Sequence, residues 1–235
     1  MATVFEISAP IGMFRTSYTT TSSVSYPFPP PTAVAGMIGA ILGIDHGASK
    51  DGTSAMYWTQ MKGTLIAIQI MNQVKFMRAG INFWNTKTGK LNERTQIKHI
   101  FLKNPRFRIF VQGELEDRLD HALKTGTTHY TLYMGVAYAP VQWQYVGRFK
   151  SIPAHSETSI HSVIPISGPI PNIDMRKTKS LNQTLIPFQM NETRKLLSTC
   201  QVLYRQEQGP IILTRPQNGW IQKVAGNNIV WFKPF

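Results

Sequence analysis

The chain has 235 residues, 42% of them hydrophobic and 11% aromatic, enough for one large domain or two small lobes and too apolar for a disordered chain. Its 25 Lys and Arg against 12 Asp and Glu give a formal charge of +13, which attracts phosphates and anionic surfaces without dictating a fold. A single cysteine, Cys200, excludes an internal disulfide or thiolate metal cage. The longest apolar run, within Ala33 to Ile44, is too short to span a bilayer, so a cytoplasmic chain with no membrane partner is expected.

Val4 to Ala9 alternates as a strand should, with Phe5, Ile7 and Ala9 on one face. Seven of the nine residues from Ser17 to Ser25 are Ser or Thr. Tyr26-Pro27-Phe28-Pro29-Pro30-Pro31 must then be extended, because proline fixes φ and bars helix in the residue before it. Thr32 is placed to cap a helix from Ala33 to about Leu42, with Gly43 as its stop. Leu65 to Ile70 reads as a buried strand, and Val74 to Trp84 with Leu91 to Leu102 as the arms of a long hairpin turning through Asn85 to Lys90.

Arg106 to Val111 alternates again, with Phe107, Ile109 and Val111 opposite Arg106 and Arg108. Leu115 to Lys124 is an amphipathic helix ended by Gly126, and Met134 to Val146 another strand. Strand, helix, strand, hairpin, strand, helix, strand is the βαββαβ order of the ferredoxin-like, RRM-like plan. The expected class is therefore α+β, with that body over residues 1–147 and a long β-hairpin inserted. From about Arg148, Pro153, Pro165, Pro169, Pro171 and Pro187 predict short strands, a smaller β-rich C-terminal lobe over residues 148–235.

Charge is concentrated in the hairpin. Between Lys75 and Arg108 nine basic residues (Lys75, Arg78, Lys87, Lys90, Arg94, Lys98, Lys103, Arg106, Arg108) face one acid, Glu93, a net +8. Phe76, Phe83, Trp84, Phe101 and Phe107 are interleaved with them. Cations meeting phosphates and rings stacking on unpaired bases are how single-stranded nucleic acid is held. The expected RNA-binding set within it is Lys75, Arg78, Phe83, Trp84, Lys87, Lys90, Arg94, Lys98, Arg106 and Arg108. Arg15, Tyr18, Thr19, Thr20 and Ser22 join it, as short donors beside a cation suit phosphate and the 2′-hydroxyl. The plain alternative is a solvated hairpin and a polar surface loop.

Other chemistry is poorly supplied. Gly36, Gly39 and Gly43 lie on a helix with no Lys-Ser/Thr pair after them, so no phosphate loop is expected. Glu114, Glu116, Asp117 and Asp120 open the second helix, where they complement its dipole. No His spacing suits a metal, and no cofactor is expected. Metal-free RNA cleavage would need a base and a cation, types that Lys98, His99 and Tyr18 supply. Adjacent strand residues point apart, however, which sets Lys98 against His99.

Three stretches carry a resemblance: Gly12-Met13-Phe14-Arg15-Thr16-Ser17-Tyr18 with the hydroxyls to Ser22; Tyr26 to Ala33 with Gly36-x-x-Gly39-Ala40-x-Leu42-Gly43; and Leu102 to Val111 with Tyr130-x-x-Tyr133-Met134-Gly135. Together they resemble the CRISPR-associated Cas-five family, in the branch found in type I-B Cascade. The resemblance implies a ferredoxin-like body with a hairpin thumb, over about Met77 to Leu102, that caps the 5′ handle of the guide RNA (crRNA). It also implies contacts with a Cas-seven backbone subunit and a Cas-eight large subunit, and target DNA met only indirectly. Relatives in the type I-C branch cut precursor RNA with Tyr, Lys and His, while in type I-B a separate endoribonuclease does so. The expectation is a non-catalytic subunit, with a metal-independent endoribonuclease and a general single-stranded RNA-binding protein as alternatives.

Overall fold

The computed structural model describes residues 1–19, 22–47, 55–84, 94–216 and 219–233. The first half runs β1 (Ala2–Ser8), β2 (Ile11–Gly12), β3 (Ser23–Val24), α1 (Pro31–Leu42), α2 (Tyr57–Gln60), β4 (Leu65–Ile70), β5 (Phe76–Trp84), β6 (Arg94–Lys103), β7 (Arg106–Gln112), α3 (Glu116–Lys124) and β8 (Gln142–Phe149). Among the described residues the elements that follow are all strands: β9 (Ile152–Pro153), β10 (Ser159–Ile160), β11 (Ile164–Ile166), β12 (Leu181–Met190), β13 (Leu196–Arg205), β14 (Ile211–Ile212), β15 (Gln222–Val224) and β16 (Asn227–Ile229). The protein is thus mixed α/β and rich in strand.

A four-stranded sheet in the order β4-β7-β1-β8, every pair antiparallel, forms the body. The two-residue alternation sends Phe5 and Ile7 of β1, Ile66 and Ile68 of β4, and Phe107, Ile109 and Val111 of β7 to one face. There they join Val34 and Ile38 of α1 and Leu119 and Leu123 of α3 in the main core. The opposite face is divided: Val4, Ala67 and Phe110 lie under Val224 and Ile229 of the β15–β16 hairpin, while Glu6 and its neighbours form a polar strip.

Helix α1 starts two residues earlier than capping by Thr32 would allow. Pro30 is the extended N-cap, Pro31 is the first helical residue, and no side chain caps the end; proline at the first helical position forgoes an N–H that would be unpaired anyway. Gly43 ends the helix at φ +67°, the left-handed turn that favours glycine. The strand expected over Met134 to Val146 begins only at Gln142, and residues 130–141 form a loop. Gly135 explains the loop: at φ +81° it brings its backbone so close that a Cβ would lie 2.1 Å from the Met13 carbonyl oxygen. Met13 N–H in turn donates to Met134 O (2.9 Å), so the two motif stretches lock together.

The C-terminal strands are not uniformly short. β12 and β13 pair over ten residues each, and Pro187 is tolerated beside a register shift in the outer strand of the β11-β13-β12 sheet. Ile186, Phe188, Val202 and Phe232 enter the same core as α1.

Candidate nucleic-acid interface

The hairpin β5–β6 pairs Phe76 with Leu102 through to Trp84 with Arg94. This register gives the two faces opposite characters. Arg78, Asn82, Trp84, Arg94, Gln96 and Lys98 stand on one face, nearly all exposed. Met77, Ala79, Ile81, Phe83, Ile97, His99 and Phe101 stand on the other, mostly half-buried or buried. Every described cation between residues 76 and 98 is on the first face because each sits at an even position and the cross-strand pairing preserves parity. The Arg94 guanidinium lies 4.8 Å from the centre of the Trp84 ring, a cation–π contact that holds charge and ring side by side.

Phe83 and Trp84 are thereby separated. Phe83 belongs to a ring ladder on the apolar face: Phe83 to His99 at 5.9 Å, His99 to Phe101 at 5.7 Å, and Phe101 to Tyr138 at 6.2 Å. His99 is 6% exposed, with Nδ1 3.0 Å from the Ile97 carbonyl oxygen. Lys98, opposite Gly80, points the other way into solvent.

The hydroxyl loop docks on the far edge of β6. Ser23 and Val24 pair in parallel with His99 and Ile100, and Ile11 and Gly12 pair with Lys103 and Leu102. Arg15 Nη2 donates to Thr19 O (2.7 Å), Thr19 Oγ1 donates to Thr16 O (3.0 Å), and Ser25 Oγ accepts from Phe14 N–H (3.0 Å). Much of the hydroxyl run is therefore spent on the loop itself, while Tyr18, 76% exposed, and Ser22 face outward. Burial pushes the Tyr26 hydroxyl above its ordinary value, with Ser17 hydrogen-bonded beside it. Thr20, Lys87 and Lys90 lie outside the described residues. Lys75 is exposed where the hairpin leaves the body, its carbonyl accepting from Lys103 N–H (2.8 Å).

Arg106 and Arg108 have a different occupation. Both clamp Glu6, whose side chain is 8% exposed: Arg106 Nε and Nη2 reach Oε2 at 3.0 and 2.5 Å, and Arg108 Nε and Nη2 reach Oε1 at 3.0 and 2.6 Å. Burial would raise the Glu6 pKa, but the hydrogen bonds and charges of Arg108 and Arg106 win and hold it below the carboxylate range. Two cations on one anion leave one net charge on this strip. The acids of α3 are likewise structural: Glu116 is buried against Arg148 and Thr3, and Asp120 accepts from Tyr145 Oη (2.6 Å). Burial, then that bond, pushes Tyr145 up to about 12. Among the described residues no group of three His, Cys, Asp or Glu side chains is placed to hold a metal, and no helix is long and apolar enough to cross a membrane.

Residues 3–166 match the family described as CRISPR-associated protein (Cas_Cas5). The chain belongs to the CRISPR-associated Cas-five family. Among solved structures, this Cas-five protein is similar to a CRISPR protein from Archaeoglobus fulgidus, at 15% identity over 99% of both chains with a TM-score of 0.51. A second, described as a Cas protein, has 15% identity, covers 93% of this chain and 99% of its own, and gives a TM-score of 0.51. A chain of a CRISPR RNA-guided surveillance complex gives 12% identity and a TM-score of 0.47, covering 91% of this chain and 92% of its own. No curated protein matches. The Cas-five motif stretches that sequence alone marks are the ones the fold joins, at Met13 and Met134. What sequence reasoning missed is the clamp at Glu6, signalled only by a lone acid between Phe5 and Ile7, and the half-buried ring of Tyr57 and exposed ring of Tyr138; it marks Tyr130 and Tyr133 only as motif residues, with no place in a site.

Proposed function

We propose that this Cas-five protein is a non-catalytic subunit of a CRISPR effector complex that grips the 5′ handle of the guide RNA. The grip uses the exposed face of β5–β6 as a thumb, beside Tyr18 and Ser22. The observation that carries the reading is the hairpin register, which collects Arg78, Trp84, Arg94 and Lys98 on one solvent-facing side. Cations beside an exposed ring are what an unpaired strand requires. The strand order β4-β7-β1-β8, with α1 and α3 following β1 and β7, supports reading the body as ferredoxin-like. In the type I-B arrangement that the sequence resembles, the neighbours are the Cas-seven backbone and the Cas-eight large subunit.

A holding role is favoured over cutting because Lys98 and His99 project from opposite faces and the His99 ring is buried between Phe83 and Phe101. A general base must reach the proton that it removes. RNA recovered with the purified assembly is expected to be dominated by repeat-derived 5′ ends. A random cellular population would sink the handle reading. Repeat RNA incubated with the isolated chain in EDTA is expected to stay intact; cleavage abolished by His99→Ala would replace holding with catalysis.

A further inference from the structure

Away from the thumb, a cleft of about 570 Å³ lies against the outer side of α1, within the range of cavities that hold small molecules. Its floor is made of small residues, Ala33, Gly36 and Ala40, and a Cβ placed on Gly36 would meet nothing within 4 Å. Tyr57, Tyr130 and Tyr133 stand around this floor. Tyr130 and Tyr133 are 42% and 48% exposed, so their rings are open to a ligand.

A cation enters the cleft. Arg194, in the turn between β12 and β13, has φ +62° and donates from Nη2 to His46 O (2.5 Å). Its charge reaches Tyr57, whose hydroxyl burial pushes up while Arg194 pulls it down. No carboxylate is among the described residues that line the cleft. A cavity with aromatic walls, a floor of glycine and alanine and positive charge at its rim suits a planar base with its phosphate. An acidic peptide side chain would use only Arg194 and a cationic one only the rings, whereas a nucleotide uses both.

The loop of residues 130–141 links this cleft to the thumb. It carries Tyr130 and Tyr133 into the cleft and Tyr138 onto Phe101, the base of the ring ladder that reaches Phe83. We infer that the α1 cleft is a second RNA subsite that takes one unpaired nucleotide, its base between Tyr130 and Tyr133 over Gly36 and its phosphate on Arg194. The inference rests on the RNA-holding reading of the thumb and extends it to a surface outside the basic segment from Lys75 to Arg108.

Gly36 offers the test, because a ring placed there fills the cleft without entering the core. Single-stranded repeat RNA carrying 4-thiouridine at each position in turn would be crosslinked to the full chain. One position is expected to label Tyr130 or Tyr133. Gly36→Phe and Tyr133→Ala should each remove that label and weaken binding on the order of tenfold, as expected for a single stacked base, with unchanged thermal unfolding. Arg94→Glu with Lys98→Glu serves as the thumb control. If the control loses RNA while both cleft variants bind normally and no label reaches residues 130–133, the cleft inference fails and the thumb reading stands. A wild-type chain that binds no RNA removes both. Cleft variants that keep RNA but drop out of the assembled complex make the surface a protein contact and overturn the inference.

Discussion

Glu6 shows how one residue diverts charge that composition alone would assign to RNA. Its carboxylate, nearly buried between two guanidiniums, is accepted in the sheet only because Arg106 and Arg108 satisfy both oxygens. Arg106 is itself 53% exposed, so solvent screens part of the interaction. Glu6→Gln is expected to destabilise the protein by about 1–2 kcal/mol at neutral pH. The native Glu6 pKa lies below its ordinary value, so its contribution is present above the unfolded pKa and is lost as pH falls through the native one. Denaturation midpoints of wild type and variant should therefore converge in acid. A gap that is constant with pH would assign the effect to packing.

At the scale of the element, the hairpin owes its two faces to strand geometry. Even positions carry Arg78, Trp84, Arg94 and Lys98, and odd ones carry Ile81, Phe83, Ile97, His99 and Phe101. Reversal of Arg94 or Lys98 to Glu should weaken RNA binding and flatten the salt dependence by about 0.7 log-log units for each phosphate that is no longer neutralised. Reversal that leaves the slope unchanged would move the RNA off this face. Trp84→Ala should cost roughly 1–3 kcal/mol of RNA binding if a base stacks there, whereas Phe83→Ala acts through the ladder to His99. The period of two is visible in the sequence, and with it the charge on this hairpin. The partner arm is not, because parity across a turn depends on the register and so on how residues 76–84 meet 94–102. Phe83 and Trp84, neighbours on one arm, stand on opposite sides by that same period of two.

Across the whole molecule, the C-terminal strands complete the body's core. Phe232 is fully buried, its ring 6.0 Å from Phe188 and its N–H bonded to Ile66 O (2.9 Å) in β4. Phe232→Ala should cost about 3–5 kcal/mol and lower the unfolding temperature of the whole chain in one transition. A separate transition confined to residues after 148 would instead show two independently stable units.

Local rules carried by the sequence determine most strands and helices of the first half, the stop at Gly43, and the net charge of the segment from Lys75 to Arg108, since periodicity, proline and glycine act over a few residues. Only the tertiary structure decides which cations face solvent. It joins Glu6 to Arg106 and Arg108 across 100 and 102 residues, buries His99 among rings, and brings Tyr130, Tyr133 and Arg194 around Gly36. Those arrangements depend on register and long-range packing, which no window of sequence contains.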